Sequence, residues 1–131
     1  MKIKVATAVG SVLDWMVATA QKLQIIQVKN GFTYVPKYPT IGGQRFTPTT
    51  DPAQAYPIIE REGITVAPFY GNWTAARNVG ELISDQDGDR LIVVMWESEP
   101  HSFGPTPLIA AMRCYVVSKL GEEVEVPDEL V

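Results

Sequence analysis

Apolar residues recur at helical spacing across residues 11–23, where Val12, Leu13, Trp15, Met16, Val17 and Ala20 can share a face. Thr7 or Ser11 is placed to cap that helix, since a hydroxyl oxygen can accept an orphan amide at its start. Residues 2–5 alternate polar and apolar, a short strand signal. Residues 24–29 are β-branched enough for a strand, and Asn30-Gly31 takes positive φ cheaply for a tight turn into a partner at 32–35. There the rhythm stops. Residues 36–57 are rich in Pro, Gly and Thr and predict a long ordered loop, because a linker would leave flanks too small to fold. Within it, Thr50-Asp51-Pro52 predicts the start of a short middle helix, with Asp51 as cap and Pro52 in the first turn. That helix should run toward Glu60, kinked or interrupted at Pro57, and end at Gly63.

Period-two patterning then takes over. Residues 64–69 and 73–77 read as strands joined by a Tyr70-Gly71-Asn72 turn, and the apolar run 91–96 reads as a central strand. A solvated Asp85–Asp89 turn precedes that run, and an irregular loop at 97–105 follows it. Thr106-Pro107 opens the clearest helix. Thr106 can cap it, Leu108, Ile109, Met112, Val116 and Leu120 can face a core, and Gly121 sits where a left-handed residue is wanted. The order predicts an α+β fold: a small antiparallel sheet packed by an N-terminal and a C-terminal helix. A single domain over 1–121 would carry an acidic tail at 122–131.

Composition narrows the picture. The chain has 131 residues, 46% hydrophobic and 20% charged, which suits one globular domain. Its formal net charge of -4 argues against general nucleic-acid binding or a polybasic membrane anchor. That sum hides an asymmetry. Residues 1–80 hold twice as many bases as acids, whereas residues 81–99 hold Glu81, Asp85, Asp87, Asp89, Glu97 and Glu99 against Arg90. The tail holds five more acids and no base, and it leaves three uses open: a solubilising end, a subunit contact or a mimic of nucleic-acid charge. Val124 and Val126 alternate with Glu123 and Glu125, so an added edge strand or docking segment is also consistent. Cys114 is the only cysteine, which excludes an internal disulfide and a multi-thiolate zinc site and suits a reducing cytoplasm. No apolar run predicts a secretory signal or a membrane span.

Catalytic patterns fail one by one. His101 is the only histidine, and its serine neighbours lack the Gly-x-Ser-x-Gly elbow of a nucleophile. The acidic turn lacks the Gly and the terminal acid of a calcium loop, since those positions hold Arg90 and Trp96. Gly42-Gly43-Gln44-Arg45 lacks the Lys-Ser or Lys-Thr of a P-loop. Cys114, with no base in view, reads as a small core residue. No catalytic residue, metal ligand or cofactor is expected.

Binding residues are easier to find. Gly43 and Arg45 could approach an anion, and Thr47, Thr49, Thr50 and Asp51 precede a helix N-terminus whose amides point outward. Capping and loop satisfaction are the simpler account of the same residues. Trp73 and Arg77 share a strand face, as do Arg90 and Trp96, and either pair offers a cation beside a stacking surface. Core packing is the ordinary use of such tryptophans. His101 and Thr106 in the second loop complete the candidate set.

Three stretches carry a resemblance: Leu13-Asp14-Trp15; the Thr-Pro-Thr-Thr-Asp run leading to Pro57-Ile58-Ile59-Glu60-Arg61-Glu62-Gly63-Ile64; and the segment from Gly104-Pro105-Thr106-Pro107 to Lys119-Leu120-Gly121. Together they resemble the NinX-like family of small tailed-phage proteins across nearly the whole chain, most specifically in the C-terminal third. Pro52 stands where that family has an aromatic residue after the aspartate, so no role of that aromatic carries over. The resemblance implies a phage accessory protein in the cytoplasm of an infected bacterium, without a transferable activity. The Thr-rich loop, short acidic helix and strand are also similar to small phage proteins that sequester nucleotide immune signals. Such proteins are compact, non-catalytic and oligomeric.

The expectation is therefore a non-enzymatic, homo-oligomeric binder of a small anionic ligand, such as a cyclic or ADP-ribose-type nucleotide. Its pocket would use the 42–51 loop, the strand arginines and the 97–106 loop. The alternative is a protein-interaction module that inhibits or recruits a host protein through an acidic surface.

Overall fold

A computed structural model describes residues 1–37, 39–77, 80–84, 91–95 and 101–131, with Thr40, 80–84 and 91–95 as backbone. The sequence readings at Asp85–Asp89, Arg90, Trp96 and 97–100 lie outside the described residues. Three helices, α1 (Gly10–Ala20), α2 (Pro52–Glu62) and α3 (Pro107–Leu120), combine with antiparallel ladders into an α+β fold.

The last helix is the centre of the fold. Every residue of α3 from Ala110 to Val116 is buried, and the helix packs against α1, α2 and the sheet made of β5 (Ile64–Phe69), β6 (Asn72–Arg77) and β9 (Ser102–Gly104). A helix covered on all sides needs an apolar surface all round rather than one stripe. The one-faced expectation is corrected accordingly: Leu120 is exposed, while Ala110, Ala111, Cys114 and Tyr115 join the core. Thr106 caps α3 as its pattern predicts, its Oγ1 accepting the Ile109 amide at 3.2 Å. Gly121 has the positive φ of 89° expected, but its ψ of −171° is extended and turns the chain straight into a strand.

Helix α1 starts one residue before Ser11 and ends at Ala20 rather than Leu23, and neither Thr7 nor Ser11 caps it. Val9 stands at its N-cap without a side-chain bond, because Thr7 Oγ1 instead donates to the Lys4 carbonyl in the preceding 3-10 turn. Helix α2 behaves as its sequence predicts at both ends. Asp51 accepts the Ala53 amide at 3.0 Å, and Gly63 closes the helix in the left-handed region. Pro57 does not interrupt it. The helix runs through that position, where proline has no amide to contribute.

The Pro/Gly-rich stretch is more ordered than a loop. β2 (Gln27–Lys29), β3 (Phe32–Lys37) and β4 (Thr40–Arg45) form a three-stranded sheet, so among the described residues between β3 and α2 only Pro39 and 46–51 lie outside helix or strand. Gly43, at φ +82°, passes so close to β3 that a Cβ would lie 2.6 Å from the Val35 carbonyl oxygen. Only glycine allows this approach. The register slips between Val35 and Lys37, around Pro36, which cannot donate to the ladder. β8 (Leu91–Met95) pairs with β7 (Gly80–Ser84) in a two-stranded ladder, so among the described residues it is not a central strand.

The tail folds back. β10 (Glu123–Glu125) pairs with β1 (Lys2–Lys4), placing Glu125 opposite Lys2 and Glu123 opposite Lys4. Opposite charges across a ladder favour that pairing. Val124, Val126 and Leu130 are buried, and the Met1 ammonium donates to Glu125, Asp128 and the Val126 carbonyl.

Candidate functional site

The 46–51 segment, which carries four of the sequence candidates, turns most of its polar groups inward. The Thr47 amide donates to Gln54 Oε1 at 2.6 Å, and Gln54 Nε2 returns a bond to the Arg45 carbonyl at 3.0 Å. The Thr49 amide donates to Asp14 Oδ1 at 2.9 Å, joining this loop to α1 through a carboxylate only 4% exposed. Burial raises the Asp14 carboxyl to about 6, although the Thr49 amide bond pulls the other way. Thr50 Oγ1 donates to the Thr47 carbonyl, and Asp51 is occupied as the α2 cap. Thr49 Oγ1 is buried without a partner among the described residues.

The other candidates lie apart from this loop. Gly43 is a backbone necessity in β4. Arg45 lies 4.1 Å over the Phe32 ring and donates to the Tyr34 hydroxyl. Arg77 donates to the Glu62 carbonyl at 3.3 Å and pairs with its carboxylate at 3.7 Å. Trp73 packs half-buried against the core. Arg90 lies outside the described residues. Thr106 caps α3. The described ones among these residues do not converge on one recess.

A cavity of about 560 Å³ opens elsewhere, between β9, α3 and the β1–β10 ribbon. Its walls include His101, Phe103, Arg113, Lys4, Glu122 and Glu123, so among the described candidates only His101 lines it. Strand β9 builds one wall. Its position is fixed from both sides, because Gly104 approaches α3 closely enough that a Cβ would lie 2.8 Å from the Ala110 amide nitrogen. His101 Nδ1 lies 3.1 Å from Thr74 Oγ1, a hydroxyl that also reaches the Ser102 carbonyl.

Arg113 supplies the distinctive electrostatics. Its side chain is 8% exposed in the middle of α3, Nε donates to the Ala8 carbonyl at 3.0 Å, and one terminal nitrogen donates to the Phe103 carbonyl at 2.7 Å. Burial lowers its pKa, but a guanidinium stays charged under ordinary conditions. Among the described residues no carboxylate pairs with it within 4.0 Å. A guanidinium has five N–H donors, so two carbonyls leave donors for the cavity it lines. Sequence reasoning passed over this residue. The available signal was a lone cation in the apolar run from Leu108 to Val117.

A second recess, of about 500 Å³, lies where the three helices end, with Lys22, Arg61, Glu62 and Lys119 in its lining. Lys119 Nζ is 3.1 Å from Glu62 Oε1, and Arg61 is 3.3 Å from Oε2. Burial alone would raise the Glu62 carboxyl, yet bonds from Lys119 and Arg61 and the Lys119 and Arg77 charges together hold it below its ordinary value. Cations near helix C-termini also oppose the helix dipoles, which gives this cluster a structural role.

Among the described residues, no group of three or more His, Cys, Asp or Glu side chains is placed to hold a metal ion. Nor is any described helix long and apolar enough to cross a membrane. Fold and recess thus define a small α+β protein wrapped round one buried helix, with a cationic side chain at a cavity wall. The chain belongs to the family described as Bacteriophage P22, NinX, whose family model matches residues 4–119. It is a phage protein of the NinX type. No curated protein matches it.

Proposed function

We propose that this phage accessory protein binds a small anionic ligand in the β9–α3 cavity and holds it chemically unchanged. The ligand class we favour is a nucleotide-derived host immune signal, sequestered by a homo-oligomer in the cytoplasm of the infected bacterium. One observation carries the reading: Arg113 is buried, charged, without a carboxylate partner among the described residues, and lines a cavity. Burying a charge without an opposite partner costs several kcal/mol on the order of the usual desolvation penalty, and an arriving anion offsets that cost. A guanidinium also suits phosphate, whose oxygens accept two parallel N–H bonds. The alternative acidic interaction surface has less support at the tail, where Glu123 and Glu125 stand opposite Lys4 and Lys2.

Native mass spectrometry of the protein with cyclic and ADP-ribose-type nucleotides tests this directly. A bound nucleotide should be recovered after denaturation with its mass unchanged, and Arg113→Met should abolish the adduct while the protein stays folded. Recovery of a converted product would replace the binder with an enzyme. An adduct that survives Arg113→Met would move the site elsewhere.

A further inference from the structure

Strand β9 presents two things at once. The Phe103 carbonyl accepts from Arg113 at 2.7 Å, while Phe103 is 47% exposed and is one of the residues that line the same cavity. Its ring is not alone. Phe69, at the end of β5, lies with its ring centroid 5.3 Å from that of Phe103, and Tyr70 stands edge-on to Phe69 at 4.9 Å. Both neighbours are exposed, Tyr70 almost completely. The register explains the grouping. Phe69 pairs with Asn72 and Phe103 with Thr74, so β5 and β9 bring their aromatic residues to the two sides of β6. Asn72 lines the cavity too, whereas Phe69 and Tyr70 lie outside its lining, so the aromatic cluster adjoins the cavity rim through Phe103.

We infer that this cluster is a stacking platform for the flat ring of the ligand whose anionic end lies at Arg113. The inference rests on the cavity reading above and adds a second recognition element, which defines the ligand as a heteroaromatic ring joined to a phosphate. Three exposed rings in contact form an apolar patch that water solvates poorly, and a base covering Phe103 removes that surface. Stacking on a π-face tolerates any base, because each base offers one. The platform therefore selects nucleotides over sugar phosphates and inorganic phosphate, with little preference among bases. The occupant is fixed by continuity: one residue holds the cation with its carbonyl and presents the ring with its side chain.

Isothermal titration of the full chain with ribose 5-phosphate, AMP and ADP-ribose separates the two recognition elements. AMP and ADP-ribose should bind about tenfold or more tighter than ribose 5-phosphate, the range that stacking of one base supplies. Phe103→Leu keeps apolar bulk and the backbone carbonyl but removes the π-face, and should erase the ratio of AMP to ribose 5-phosphate affinity. Phe69→Leu, which removes only the neighbouring ring, should reduce the preference in part. Equal binding of all three probes, or a preference that survives Phe103→Leu, overturns the stacking platform and leaves the Arg113 cavity standing. Loss of subunit association in Phe103→Leu with ligand preference intact overturns it as well, and assigns the patch to a contact between copies. If none of the three probes binds the unaltered protein, the cavity reading falls and the platform with it.

Discussion

Asp14 carries a stability cost at neutral pH that a single atom exchange should remove. Its carboxylate is buried on α1 and accepts a hydrogen bond from the Thr49 amide at 2.9 Å. Burial raises its pKa from 3.8 to about 6, so the folded chain holds this proton more tightly than the unfolded chain. Protonation therefore stabilises the fold. The benefit is complete below pH 3.8, fades as pH rises, and is gone above about pH 6. At about 1.4 kcal/mol per pKa unit, the loss amounts to roughly 3 kcal/mol. Asp14→Asn keeps an oxygen acceptor for Thr49 and carries no charge. Its stability relative to the unaltered protein should be near zero at pH 4 and rise to roughly 3 kcal/mol in its favour at pH 7.5, a gain of about 10 °C in Tm for a chain of this size. Asp14→Ala behaves differently, because it strands the Thr49 amide and should cost about 1–3 kcal/mol at acid pH. Urea unfolding of the three proteins across pH 4–8 supplies the measurement. A constant difference between Asp14→Asn and the unaltered protein, or a less stable Asn variant at pH 7.5, would refute the reasoning.

Glu62 should show the opposite sign. Its carboxyl is held below its ordinary value, so Glu62→Gln should destabilise by about 1 kcal/mol at pH 7 and by nothing measurable once the unaltered carboxylate is protonated; chemical denaturation at pH 7 and pH 3 distinguishes the two cases. Gly43→Ala combines a disfavoured φ of +82° with a Cβ 2.6 Å from the Val35 carbonyl, and should cost about 2–4 kcal/mol through loss of the β3–β4 ladder. Thermal unfolding, with amide exchange along Thr40–Arg45, should register both effects.

The local signals in the sequence translated well where chain chemistry alone decides conformation. Asp51-Pro52, Gly63 and Thr106-Pro107 mark helix ends through backbone hydrogen bonds that their neighbours cannot alter. β4 was hidden because its glycines and threonine look like loop residues. Its strand conformation comes from a close approach to β3, which is a tertiary fact. Likewise, α3 looks amphipathic when scanned for one face, and its full burial follows from being packed by helices and sheet on different sides. The 42–51 candidates share the polar character of a ligand loop, but Thr47, Thr49 and Asp51 direct it to Gln54, Asp14 and Ala53. His101 was legible as a lone histidine. Arg113 was not, since a cation in a helix ordinarily marks a solvated face, and only burial gives this one its meaning.

The anion capture proposed above would require an acidic protein to place its positive charge locally rather than in excess. The β1–β10 ribbon achieves part of that placement by setting Glu125 against Lys2 and Glu123 against Lys4, which balances four exposed charges over a short span. Two acids of the segment after α3, Glu122 and Glu123, still line the cavity with Lys4. The recess therefore offers carboxylates on one wall and Arg113 with His101 on another. A purely anionic ligand is repelled by the first wall. A ligand with a phosphate at one end and hydrogen-bond donors, such as sugar hydroxyls, at the other meets both. Net charge describes the field felt at a distance, which for this chain does not favour anions. In the proposed site selectivity would depend instead on short-range contacts, and among the described residues that line the cavity Arg113 is the buried cation.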